Sequence, residues 1–110
     1  MTMSDVYEMT DPQFDAWVMA SELPVLIDFT ASWCGPCKAI KSVVKQLATA
    51  HAGKLKVAFV DIDRCPKIAR RYGIKGVPSL YLFEGGEVVG KLSGGASKAQ
   101  LESFVERVVS

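Results

Sequence analysis

A chain of 110 residues can build one hydrophobic core and leaves little for a second, so a single domain spanning residues 1–110 is expected. Thirteen Lys and Arg against twelve Asp and Glu give a net charge of +1, which supplies no field to hold nucleic acid or an anionic membrane surface. Three cysteines are an odd number, which argues against a full structural disulfide framework and leaves catalysis or metal binding for any pair.

Met1-Thr2-Met3-Ser4-Asp5 has neither the basic region nor the apolar stretch of a secretory signal, and no apolar run could span a bilayer, so a soluble, cytoplasmic protein is expected. Val6 to Met9 reads as a short edge strand. Asp11-Pro12 resembles an N-cap followed by proline at the first helical position, with Phe14, Trp17 and Val18 on one face of the helix that follows. Val25 to Thr30 is nearly continuous apolar sequence, the pattern of a strand covered on both faces, and Asp28 interrupts it.

From Cys34 onward Ile40, Val43, Val44, Leu47 and Ala48 recur at helical spacing, with Lys38, Lys41, Lys45 and Gln46 on the wet side. This helix is expected to end near His51 to Gly53. Lys56 to Asp61 reads as a second buried strand, and Pro66 to Tyr72 as a short helix closed by Gly73. Leu80 to Phe83 and Val88 to Leu92 form a hairpin through Gly85-Gly86, since a tight antiparallel turn requires positive φ. Ser97-Lys98-Ala99-Gln100 is a capping box for a helix that buries Leu101, Phe104, Val105 and Val108. The sum is an α/β fold, a mixed sheet of about five strands flanked by four helices.

Cys34-Gly35-Pro36-Cys37 falls where the apolar strand gives way to a helix, which puts the first sulfur at the helix N-terminus and the second one turn inside. The positive end of the helix dipole and its unpaired N–H groups favour a thiolate, so Cys34 is the natural attacking sulfur. Pro36 suits a first turn that has no use for its N–H, and Gly35 lets the backbone turn with no side chain in the path of an incoming disulfide. Exchange needs a second thiol to resolve the mixed disulfide, and Cys37 is placed for it. A buried Cys37 must then lose its proton. Asp28, six residues before Cys34, is a candidate acceptor with a raised pKa if its strand is central, and an ordinary surface aspartate if the strand is an edge.

Cys34, Cys37, Cys65 and His51 could in principle make a zinc site. His51, however, lies on the same helix as Cys37, about 21 Å along its axis at 1.5 Å per residue, so no metal is expected and redox chemistry is preferred.

Phe29-Thr30-Ala31-Ser32-Trp33-Cys34-Gly35-Pro36-Cys37-Lys38 resembles the active-site segment of the thioredoxin family, whose signature Trp33 to Cys37 matches. Val60-Asp61-Ile62-Asp63, Tyr72-Gly73-Ile74, Gly76-Val77-Pro78-Ser79, Phe83-Glu84-Gly85-Gly86 and Gly94 to Leu101 are similar to its later landmarks, in the same order. The resemblance implies a thioredoxin fold and a protein-disulfide reductase, with Cys34 as nucleophile, Cys37 as resolving thiol and Asp28 as buried acid. It implies a cis peptide bond before Pro78, substrate pairing with the backbone of Val77, and a shallow contact surface of Trp33, Gly76, Val77, Pro78, Gly94 and Gly95. It further implies disulfide-containing protein substrates, a monomer with no bound cofactor, and recycling by a flavin-containing thioredoxin reductase that uses NADPH.

Four positions depart from the family's commoner pattern. Phe59 stands where many members carry a lysine near the buried aspartate, which predicts a higher Asp28 pKa. Thr30 replaces a frequent tryptophan. Ser42 replaces a helix-kinking proline, which predicts a straighter helix, and Cys65 is extra, either a regulatory thiol or a packed, inert one. The alternative functions are an isomerase or oxidase of the same fold, which Pro36 and the missing signal peptide oppose, and a structural subunit whose dithiol is incidental.

Overall fold

The computed structural model describes residues 7–109, with the side chain of Tyr7 left aside. Its framework is a five-stranded sheet in the order β1-β3-β2-β4-β5. The strands are β1 (Tyr7–Glu8), β2 (Val25–Thr30), β3 (Lys56–Asp61), β4 (Ser79–Glu84) and β5 (Glu87–Ser93). β3 runs parallel to both β1 and β2, whereas β4 is antiparallel to β2 and β5. The apolar run 25–30 is therefore the middle strand. Val6, expected to open β1, lies outside the described residues.

Because β2 is central, its alternate side chains must find cover on opposite faces. Leu26, with Val57, Phe59, Leu80 and Leu82, meets α1 (Gly35–Ala50) and α3 (Lys98–Val109). Val25, Ile27 and Phe29 meet Phe14, Val18 and Ile68 on the other face, where α2 (Pro66–Arg71) lies. Gly90 of β5 allows α3 to approach closely, since a Cβ there would come within 2.9 Å of the Phe104 ring.

Terminal chemistry follows the sequence in most places. Gly85 and Gly86 take φ of 62° and 82° in the β4–β5 turn. Ser97 and Gln100 exchange both capping-box bonds, Ser97 N–H to Gln100 Oε1 at 2.8 Å and Gln100 N–H to Ser97 Oγ at 3.1 Å.

The N-terminal helical segment differs from expectation. It divides into a 3₁₀ turn, Asp11–Gln13, and a π-type turn, Asp15–Met19, and the N-cap is Thr10. Asp11 is engaged elsewhere. Its carboxylate accepts the N–H of Ile68 at 3.1 Å and of Lys67 at 3.3 Å, and so satisfies the unpaired donors that open α2. Among the described residues no helix is long and apolar enough to cross a membrane.

Candidate functional site

The helix α1 begins at the end of the central strand, and Cys34 is its N-cap, with extended backbone at φ −92° and ψ 112°. Its sulfur takes the place of the usual capping oxygen, accepting the Cys37 N–H at 3.1 Å. That bond and the helix dipole both favour negative charge on Cys34 once the pair is reduced. Cys34 and Cys37 are joined by a disulfide, with Cα atoms 5.3 Å apart. Only 4 % of Cys34 and 2 % of Cys37 is exposed, so a partner reaches the first sulfur along a narrow edge. Pro36 occupies the first turn of α1. Gly35 has open space around its Cβ position and no left-handed φ, so the turn itself does not demand glycine.

Asp28 lies in the centre of the sheet beside Phe59 of β3 and Leu80 of β4, on the face covered by α1. It is 1 % exposed, and neither carboxylate oxygen has a hydrogen-bond partner among the described residues. Burial pushes its pKa up from 3.8 to about 7, opposed by the charge of Lys41. The reading of Asp28 as a surface aspartate is thus removed. A carboxylate poised near neutral pH in a site without hydrogen bonds is suited to receive and release a proton.

The second wall comes from the loop before β4. The Val77–Pro78 bond is cis, and the Val77 carbonyl oxygen lies 3.7 Å from the Cys34 sulfur. The Gly94 N–H donates to the Pro78 carbonyl at 3.0 Å, which fastens the loop after β5 to the same place, and Gly94 itself has φ 79°. Gly76 is exposed and its carbonyl accepts the Ser79 hydroxyl at 2.7 Å, while Gly95 is an exposed neighbour of Gly94. Trp33, directly before Cys34 in the chain, is 68 % exposed.

Two residues of the site carried no assigned role in the sequence. Asp63 accepts the Trp33 indole N–H at 2.9 Å, a bond spanning thirty positions that no local pattern announces. Lys41 is half-buried, with its ammonium 5.0 Å from the centre of the Phe59 ring. Its spacing held the clue, because Lys41 lies four residues beyond Cys37 and so on the same side of α1.

Among the departures, Thr30 and Phe59 line a cavity of about 420 Å³ that also touches Cys37, Lys41 and Cys65. With Ser42 in place, α1 runs unbroken from Gly35 to Ala50. Cys65 is fully buried, its thiol donating to the Met9 carbonyl at 3.1 Å, and burial first, then Asp11 and Asp61, push its pKa up. These features belong to a packed thiol rather than a reactive one. His51 ends α1 far from the dithiol, with Nε2 3.2 Å from Glu102 of α3.

A dithiol at a helix N-terminus beside a cis-proline loop, on a mixed sheet with β2 at its centre, defines a thiol–disulfide oxidoreductase. The thioredoxin family model matches residues 5–107, and the chain belongs to that family. It is 41 % identical over 102 residues to thioredoxin C-2 of Corynebacterium nephridii, covering 93 % of this chain and 94 % of the relative. Thioredoxin 1 of Nostoc sp. is 40 % identical over 105 residues, covering 96 % and 98 %. Thioredoxin M4 of Arabidopsis thaliana, a chloroplastic protein, is 40 % identical over 103 residues, covering 94 % of this chain and 53 % of its own length. By family and redox-active pair, the protein is a protein-disulfide reductase.

Proposed function

We propose that the chain acts as one thioredoxin domain, a monomeric cytoplasmic electron donor to disulfide-containing proteins, recycled by a flavin-dependent thioredoxin reductase at the expense of NADPH. In the reduced protein the Cys34 thiolate attacks one sulfur of a substrate disulfide. A Cys34–substrate disulfide forms and the first substrate thiolate leaves. Cys37 then passes its proton to the Asp28 carboxylate and attacks the Cys34 sulfur, which forms the intramolecular disulfide and expels the second substrate thiolate. Two electrons pass to the substrate, and the Cys34–Cys37 disulfide is the oxidised end of the cycle.

The observation that carries this reading is the placement of Cys34 as the N-cap of α1 with its sulfur accepting the Cys37 N–H, which favours the thiolate at that position. Trp33, Gly76, Gly94 and Gly95 are exposed and Val77 is half-buried, with Pro78 buried beneath them, and this shallow surface supports docking of an extended substrate segment through its backbone, which suits broad substrate choice. The test is dithiothreitol-driven reduction of a disulfide-linked protein by wild type, Cys34→Ser and Cys37→Ser. Cys34→Ser is expected to be inactive and Cys37→Ser to accumulate covalent adducts. Equal rates in wild type and Cys34→Ser would overturn the proposal.

A further inference from the structure

The register of the sheet surrounds Asp28 with uncharged neighbours, Phe59 on β3 and Leu80 on β4. Neither offers its carboxylate a counter-charge or a hydrogen bond, and both carboxylate oxygens are without a partner among the described residues. The face is closed by α1, which brings Cys37 and, one turn later, Lys41. The Lys41 ammonium sits 5.0 Å from the centre of the buried Phe59 ring, held over the residue that flanks Asp28. Other charges nearby belong to Lys38 of α1 and to Glu8, Asp61 and Arg64, which line the same cavity as Lys41 and Phe59. The charge of Lys41 opposes the burial that raises the Asp28 pKa.

We infer that Lys41 is a positioning residue for the exchange reaction: from α1, seated on Phe59, it supplies the cation that governs the charge of Asp28 and hence proton transfer from Cys37. The position beside Asp28 on β3 carries an aromatic ring, and that ring serves as the platform for an ammonium delivered by the helix. A carboxylate with no hydrogen bonds has little besides this Coulomb attraction to favour its ionised form against burial. Its ionisation therefore responds to a cation held nearby. The attraction opposes burial and lowers the Asp28 pKa toward the pH at which the protein works.

The inference rests on Asp28 as the acceptor of the Cys37 proton, and the two can be tested apart. The ionisation midpoint of Asp28 is measured by carboxyl carbon NMR in the oxidised protein, where Cys34 and Cys37 do not titrate, for wild type, Lys41→Met and Lys41→Arg. Methionine keeps the length of the side chain without the charge, and arginine keeps the charge. The midpoint is expected to rise in Lys41→Met and to stay near wild type in Lys41→Arg. The pH profile of disulfide reduction is expected to move with it. A midpoint one unit higher leaves about a tenth of Asp28 ionised at pH 7 in place of about a half, roughly a fivefold loss of rate there. An unchanged midpoint in Lys41→Met, or an equal rise in Lys41→Arg, would overturn the inference. If Asp28→Asn resolves its mixed disulfide as fast as wild type, the proton-acceptor role of Asp28 fails, whereas the NMR midpoints still decide whether Lys41 sets its charge.

Discussion

The indole N–H of Trp33 donates to Oδ2 of Asp63 at 2.9 Å, so a side chain that is 68 % exposed is held in one orientation next to Cys34. Exposed aromatic rings otherwise turn freely, and a docking surface that must be ordered at each encounter loses affinity. Asp63→Ala is expected to raise KM for a protein disulfide about two- to fivefold, the equivalent of one hydrogen bond, with kcat little changed. Steady-state kinetics alongside the anisotropy of Trp33 fluorescence in a Trp17→Phe background checks this. An unchanged KM would show that the ring needs no anchor.

Cys65 poses the opposite case, a thiol with no way out. It is fully buried, donates to the Met9 carbonyl, and has a pKa raised by burial and by Asp11 and Asp61. In native protein with the Cys34–Cys37 disulfide intact, iodoacetamide is expected to leave Cys65 unmodified over hours, and to label it at once in denaturant. Mass spectrometry after a timed quench reads the result. Rapid native labelling would restore the reading of Cys65 as a regulatory thiol.

Asp11 ties the N-terminal segment to α2 by accepting from Lys67 and Ile68. Its removal strands two donors at the start of a helix of only six residues. Asp11→Ala is expected to cost about 1 kcal/mol, within the range of a lost helix cap, which for a chain of this size lowers Tm by roughly 4–8 °C. Calorimetry of the oxidised protein measures it, with Asp11→Asn as the variant that retains an acceptor and loses less.

These residues also mark where the sequence is legible and where it is not. The run 25–30 announces a central strand because only such a strand is covered on both faces, and the Gly-Gly turn and the Ser97 capping box are local devices whose parts lie within a few residues. The dithiol at the head of α1 is legible for the same reason. Asp11 is misread as the cap of its own helix because its partners lie on α2, more than fifty positions away. Lys41 passes for a solvated face until the packing sets it over Phe59, since periodicity marks which side of a helix is wet and not which long side chain folds back over an aromatic ring. Asp28 set in an apolar strand predicts a raised pKa if that strand is central, and burial in the central strand raises it. What the sequence did not disclose is the cation on α1 that limits the rise.

The pH dependence of stability carries a definite sign. Asp28 has a folded pKa of about 7 against 3.8 for an ordinary aspartate, so between those values the folded protein holds a proton that the unfolded chain has released. Stability must fall as pH rises through that window, because each step makes folding recapture a proton or bury a bare carboxylate. The cost is absent below about pH 4 and complete above pH 7. The interval from 3.8 to about 7 sets its ceiling at about 4 kcal/mol. Asp28→Asn removes the titration while keeping the shape, so wild type and variant, both oxidised, are expected to diverge between pH 4 and pH 8, with the variant gaining relative stability on the alkaline side. Urea unfolding at pH 4, 6 and 8 measures the divergence, and other titrating groups cancel in the difference. Parallel curves would mean that Asp28 ionises in the folded protein as it does in the unfolded chain, which would remove the reason to assign it the Cys37 proton.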